Sequence, residues 1–530
     1  MIFFNGIIHT QDKKQPLAEA MLISNNKIIK VGSSKTIKAY ATDDMKMVDL
    51  NKRVVLPGFT DSHFHFYEWA VNYNSIDLLK CLSFKEMEQA LINRAKEIKK
   101  GEWILGIGFN ESEWPENKMP DKNDLDRIVP QNPACIWRCD LHLGVANSLA
   151  LKAAGISSET PDPPEGKIER DALGDPTGVL RELSLNLIKE VIPVPSKRTI
   201  LSNMIKGMND LNALGITSIH DIPLMGGLNG SDSLQAWQEL NEQQKLNIRC
   251  HVSLPGEVTD QAVDIGLRTG YGDDKLKIGH LKFFADGGMG ARTAWVLEKY
   301  EDAEYGMPLT PIKDIENALI KADPNGLSLM IHSIGDRTNR EIISMFERVQ
   351  NANPERPKIP HRIEHVQMIR HEDLKRMGDL KSVVASCQPN NLSLDITMIE
   401  MGVGEKSKYT YMLKSILKNG LSLLLSSDAP VCDPNPFTGI YSAVTRKRMN
   451  KTPENGWYSE QALTVDEAVK GYTISPAIAS GVDNVLGSIT PGKFADLIVL
   501  NKDIYSMDPD QIADTQIDIT VFDGQIVYER

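Results

Sequence analysis

No stretch of this 530-residue chain approaches the ~20 consecutive apolar residues that a membrane-spanning helix requires, which argues against an integral membrane protein. The opening run, Met1-Ile2-Phe3-Phe4-Asn5-Gly6-Ile7-Ile8, lacks a basic flank and is interrupted too early for the apolar stretch of a secretion signal. A cytoplasmic protein without membrane association is therefore expected. Cysteine is sparse: Cys81, Cys135, Cys139, Cys250, Cys387 and Cys432 are dispersed, which suits buried thiols rather than a disulfide framework. Cys135 and Cys139 have no second cysteine pair with which to complete a zinc site. Basic residues are outnumbered, 59 Lys and Arg against 71 Asp and Glu, for a net charge of -12. The nearest approach to a basic run, Lys96-Glu97-Ile98-Lys99-Lys100, reads as a solvated helix end, so no nucleic-acid partner is expected.

The chain does hold ordinary globular proportions, 41% hydrophobic and 25% charged residues. Its length accommodates a barrel of about 250 residues with insertions and a second small domain. The run Leu56-Pro57-Gly58-Phe59-Thr60-Asp61-Ser62-His63-Phe64-His65 reads as a short strand ending in two histidines, two apart, on one face. Such a pair can grip a divalent metal.

Four later segments share that form, an apolar run ending in potential ligands. Ile278 to Phe284 leads into Ala285-Asp286-Gly287-Gly288, and Leu327 to Ile331 into His332-Ser333-Ile334-Gly335-Asp336. His361-Arg362-Ile363-Glu364-His365 follows a proline-bounded turn, and Leu421 to Leu425 runs into Ser426-Ser427-Asp428-Ala429-Pro430. Short apolar runs bounded by polar and glycine-rich turns suit the doubly buried strands of parallel sheets, with function at their C-terminal ends.

Taken in order, PGFTDSHFH, HLKFFADGG, IHSIGD, RIEHVQ, SSDAPV and GKFADLIVLN resemble the amidohydrolase superfamily. More narrowly they resemble its amidohydrolase-3 group of YtcJ-like metal-dependent hydrolases, which includes N-substituted formamide deformylase. The resemblance extends to Asp140-Leu141-His142-Leu143-Gly144-Val145-Ala146-Asn147-Ser148 and to Pro176-Thr177-Gly178-Val179-Leu180-Arg181-Glu182, and covers nearly the whole chain.

The expected fold is α/β: a distorted TIM (β/α)8 barrel over residues 57–483, with a large insertion after the first barrel strand at about 66–205. The β-prone, turn-punctuated ends, 1–56 and 484–530, suggest one small domain from both termini, and the resemblance implies a composite β-sandwich. Barrel strands are placed to end at His65, His220, Val252, near Lys282, at His332 and His365, near Gln388, and at Asp428. Ser83-Phe84-Lys85-Glu86 and Thr464-Val465-Asp466-Glu467 have capping-box form. After the first, Met87, Ala90, Leu91, Ala95 and Ile98 recur at helical spacing until Gly101. The stretch between His65 and Gly215 is too long for one connection and needs structure of its own, read as a subdomain closing over the barrel mouth.

His63, His65 and Asp428 are expected to hold one metal, and His332 and His365 a second. Lys282, amid Leu281, Phe283 and Phe284, is costly to bury charged. The resemblance implies that its amine carries carbon dioxide as a carbamate bridging two metals. The alternative is that Lys282 snorkels out or pairs with Asp286, which would leave a single metal. Zinc is the expected ion, although the ligand types suit iron, manganese and cobalt as well. Asp428 is assigned the proton shuttle. His142, Asp286 and Arg292 are candidate substrate-binding residues. His220 and His251 are expected to be satisfied by neighbours, His280 and His361 to be core positions, and Glu364 to pair outward, opposite His365. The activity implied is hydrolysis of a non-peptide, amide-type C–N bond on a small molecule. A mononuclear deaminase and a non-catalytic scaffold are the alternatives, and a homodimer is the assembly considered.

Overall fold

The computed structural model describes residues 1–139, 141–164, 166–225, 230–352 and 357–530, so Asp140 of the DLHLGVANS run lies outside the described residues. Eight parallel strands follow the apolar runs: β1 (Phe59–Phe64), β2 (Ile216–Asp221), β3 (Arg249–Pro255), β4 (Leu276–Phe284), β5 (Leu329–Ser333), β6 (His361–His365), β7 (Val383–Cys387) and β8 (Leu423–Leu425). Each pairs with its neighbour in chain order. Outward side chains such as Ile219, Leu281, Ile331 and Ile363 pack against helix residues including Trp237, Leu319, Ile342 and Phe346 in one large core. Truncating one of these aliphatic side chains to alanine costs about 2–5 kcal/mol.

The distortion lies at the seam between β8 and β1. Instead of a strand ladder, Ser62 Oγ donates to the Leu425 carbonyl at 3.1 Å, Asp428 N–H to the His63 carbonyl at 2.9 Å and His65 N–H to the Ala429 carbonyl at 2.8 Å. This stitching carries Asp428 beyond the end of β8 to the end of β1.

The long connection after β1 folds into a six-stranded sheet, in the order Gly166–Arg170, Pro176–Glu182, Leu143–Ala146, Ala134–Arg138, Ile104–Phe109 and Ile76–Asp77. It has apolar clusters of its own, one around Leu91, Phe109, Trp114 and Leu125, the other around Cys135, Leu151, Leu180 and Ile188. Its helix Phe84–Glu97 is capped by Ser83 Oγ, which accepts the Glu86 N–H at 3.2 Å. The reciprocal half of the capping box is absent there: the Glu86 carboxylate accepts the Leu82 N–H instead, at 2.8 Å. At Thr464 both halves form.

The chain ends build two further sheets. The six-stranded one sets Val54–Pro57 antiparallel to Leu497–Leu500, so both ends of the chain contribute to it. Phe3 and Met21 of the four-stranded sheet share one core with Ile8, Val55, Leu497 and Val521 of the six-stranded one. Buried Arg249 on β3 ties these sheets to the barrel, with Nε 2.7 Å from Asp496 Oδ2 and Nη2 3.1 Å from Asp523 Oδ1. Among the described residues no helix is long and apolar enough to cross a membrane.

Candidate metal centre

At the C-terminal mouth of the barrel, His63, His65, Lys282, His332, His365 and Asp428 line one cavity of about 150 Å³. His63 Nε2 and His65 Nε2 each lie 3.3 Å from Asp428 Oδ1, and ligand atoms of the three residues fall within 4.8 Å of one another. The His332 and His365 rings stand edge to face at 4.4 Å, and His365 is 5.1 Å from the His63 ring. All six side chains are buried.

The Nδ1 atoms of the first pair are already engaged. His63 Nδ1 is 2.5 Å from Glu364 Oε2, and His65 Nδ1 is 2.8 Å from the Ile222 carbonyl. A partner on Nδ1 fixes the tautomer and leaves Nε2 as the metal-facing atom. Asp221, at the end of β2, accepts the N–H groups of Phe66 and Tyr67 at 2.8 and 3.2 Å, anchoring the helix Phe66–Val71 that begins just after His65.

Electrostatics keep these groups in ligand form. Burial, reinforced by nearby Lys282, holds His63 well below the usual imidazole range, and burial with His365 does the same to His332. Burial would raise Asp428, but His63 and His65 outweigh it and keep the carboxyl below its ordinary value. Lys282 is pushed down to about 8 by burial, against the opposing pull of Glu364 and Asp428.

Among the described residues that line the cavity, two buried side-chain atoms, His63 Nε2 and Lys282 Nζ, have no hydrogen-bond partner. Such orphans are expensive to bury unless a further group completes them. A bound divalent cation would complete His63 Nε2, and the mixed imidazole and carboxylate set suits zinc and its neighbours. Pairing of Lys282 with Asp286 does not occur. The Asp286 carboxylate instead accepts N–H groups from Ile334, Gly335 and Trp295, at 3.0, 2.8 and 3.0 Å, and the Thr338 hydroxyl at 2.7 Å. The Lys282 amine lies 4.6 Å from the Phe284 ring centre.

Residues 46–528 match the model of the amidohydrolase family, Amidohydro_3. The chain belongs to the amidohydrolase family. It is 32% identical to Protein LONG AFTER FAR-RED 3 of Arabidopsis thaliana over 94% of this chain and 87% of that protein. It is 30% identical to Putative amidohydrolase YtcJ of Bacillus subtilis, covering 100% of this chain and 99% of the relative. N-substituted formamide deformylase of Arthrobacter pascens is 27% identical, with 100% and 98% covered. Among solved structures, an uncharacterized metal-dependent hydrolase from Pyrococcus horikoshii superposes with a TM-score of 0.77 at 27% identity, covering 96% of this chain and 98% of the other.

Within this amidohydrolase site, Glu364 overturns its sequence expectation. Strand alternation from His365 placed it outward, yet it is fully buried inside the barrel, bonded to His63 and, through Oε1, to Arg362 Nε at 2.7 Å. The parity fails because His365 leaves the pleat with φ 69, so Arg362 and Glu364 share the inner face while His365 turns to the mouth. Asp428 reaches the cavity by a similar left-handed step, φ 64. Non-glycine residues held there cost on the order of 1–2 kcal/mol each, which the surrounding structure must over-determine.

Arg362 was not singled out from the sequence and is the hub beneath the amidohydrolase centre. It donates from Nη1 to His220 Nδ1 at 2.5 Å and from Nη2 to the Ser62 carbonyl at 2.6 Å. His220 is completed by the Ser480 hydroxyl at 3.1 Å and packs 4.9 Å from the His251 ring. His280 is buried against the Pro360 carbonyl, and His361 accepts the Leu329 N–H.

The three candidate substrate-binding residues separate. His142 lines the amidohydrolase cavity, brought there by the inserted sheet, whereas Asp286 and Arg292 do not reach its wall. Asp286 organises the loop after β4 through the bonds given above. Arg292 closes the same loop, with both Nε and Nη2 on Asp302 at 2.8 and 2.9 Å and Nη1 on the Met289 carbonyl. A glycine-rich turn followed by an arginine looks the same in sequence whether it orients a substrate or holds its own shape.

Proposed function

We propose that this amidohydrolase is a metal-dependent hydrolase of a non-peptide, amide-type C–N bond on a small molecule. The observation that carries the reading is the convergence of six ligand-type side chains on one buried cavity, with His63 Nε2 and Lys282 Nζ left without a hydrogen-bond partner. The names of the relatives, a formamide deformylase and a metal-dependent hydrolase, support the same direction.

His63, His65 and Asp428 would hold one ion, with His332 and His365 serving a second, and zinc is the ion we favour. When bound, the metal supplies Lewis-acid polarisation and a water acidic enough to ionise near neutral pH. Lys282, an amine that burial keeps substantially neutral near pH 8, is suited to capture carbon dioxide: its nitrogen lone pair bonds to the carbon and an N–H proton leaves, giving a carbamate. That anion would remove the orphaned amine and join the ligand set.

The Asp428 carboxylate, at the end of β1 and beside both imidazoles, takes a proton from the attacking water and returns it to the departing nitrogen. That delivery is essential, since an amide nitrogen leaves poorly unless protonated. Apolar wall residues, among them Phe284, Leu309 and Ile334, limit water in the cavity and strengthen electrostatic interactions there. The test is a panel of N-acyl and N-formyl amides, with amino-substituted heterocycles beside them, assayed with native and chelator-treated enzyme. Chelator-sensitive release of an amine and a carboxylic acid is expected; ammonia release from an amino-substituted ring would instead favour a mononuclear deaminase.

A further inference from the structure

Glu182 lies outside the metal ligands, yet three independent features converge on it. Its carboxylate is almost wholly buried and divides between two partners: Oε2 is 2.9 Å from His142 Nδ1, and Oε1 accepts the Thr293 hydroxyl at 3.0 Å. Its backbone occupies the left-handed side, φ 51 and ψ -133, which a non-glycine residue adopts only where surrounding contacts enforce it. Its own N–H donates to the His142 carbonyl at 2.9 Å, so main chain and side chain both hold the same histidine.

His142 and Glu182 belong to the inserted sheet, whereas Thr293 belongs to the barrel loop after β4. A third contact comes from that loop: a Cβ added at Gly288 would stand 3.0 Å from His142 Cδ2 and 3.1 Å from Nε2. The absence of a side chain there seats the imidazole. Glu182 is thus the joint through which insertion and barrel together fix one ring in the wall of the metal cavity. A carboxylate on Nδ1 sets the tautomer and orientation of a working imidazole.

We infer that Glu182 is a positioning residue that holds His142 against the substrate's amide group, and that its bond to Thr293 makes a competent site depend on the insertion being docked on the barrel. This rests on the hydrolase reading above for the substrate's chemistry, but not for the pairing itself.

The test uses the metal-loaded full chain and the variants Glu182→Gln, Thr293→Val and Gly288→Ala. Glu182→Gln keeps the shape of the side chain and removes its charge. It should lower kcat/KM by about 10- to 100-fold with metal content unchanged. Thr293→Val frees one carboxylate oxygen and also the Gly288 N–H, which the hydroxyl accepts at 3.0 Å, so it should lower kcat/KM in the same direction. Gly288→Ala leaves Glu182 intact and pushes a methyl against the ring, so it should shift kcat in the same direction even if a Glu182 variant folds poorly. Nitrogen NMR of histidine-labelled protein reads the pairing without any substrate: the His142 Nδ1–H signal should move strongly in Glu182→Gln. An unmoved signal would overturn the pairing, and unchanged kcat/KM in Glu182→Gln and Gly288→Ala would overturn the role. If no panel substrate is turned over by the wild type, the hydrolase reading fails while the NMR measurement still decides the pairing.

Discussion

His63 Nδ1 and Glu364 Oε2 stand 2.5 Å apart with both side chains buried, and Glu364 is held from its other oxygen by Arg362. The strand-end histidine is therefore oriented from beneath by a carboxylate that is itself oriented. Losing such a partner weakens metal binding about 10- to 100-fold. Glu364→Gln should show that loss in chelator competition, with His63 still present. Undiminished affinity would mean that Glu364 serves only to neutralise Arg362.

Lys282 is buried with its amine unpartnered. Lys282→Ala should lose metal and activity together, and a small carboxylic acid able to occupy the vacated space should restore part of both. Metal binding equal to wild type would remove the carbamate from the account. A carbonyl resonance appearing after incubation with labelled bicarbonate, absent in the variant, would support it.

For Asp428 the expectation concerns the split between kinetic constants. Asn at this position keeps one oxygen near the imidazoles but cannot cycle a proton, so kcat should fall by at least about 100-fold while KM changes little. Turnover at the wild-type rate would take Asp428 out of proton transfer.

Asp61 supplies a stability test. Burial raises its carboxyl from 3.8 to about 7, despite bonds from the Ser427 N–H and hydroxyl and the His63 N–H. A folded-state value above the unfolded one favours the protonated form. Its stabilising contribution is full below about pH 4 and fades as pH rises through about 7. The buried histidines, held below the imidazole range, pull the other way in both proteins, so in chelator-stripped protein the wild-type unfolding midpoint should lose ground relative to Asp61→Asn as pH rises across that window. Parallel profiles for the two proteins would contradict the assignment.

The fold was readable in the chain because its strands are buried on both faces and end in recognisable turns. Strand ends could be placed within a few residues, as at β7, which stops at Cys387 beside the expected Gln388. Less legible were residues whose direction depends on leaving regular geometry. Strand alternation misplaces Glu364 because the backbone turns left-handed at His365. Arg362 and Glu182 carry no ligand-like signature; their importance comes from partners far away in sequence, His220 and Ser62 for one, His142 and Thr293 for the other. Asp286 shows the converse, a motif residue whose carboxylate is fully engaged by its own loop and the end of β5.

The central claim is that side chains from separate strands together bind a divalent metal at the barrel mouth. Elemental analysis of purified wild type beside His63→Ala tests it most directly. At least one divalent ion per wild-type chain, lost in the variant, is the expected result; an active wild type free of metal, or a variant that keeps its full complement, would contradict the account.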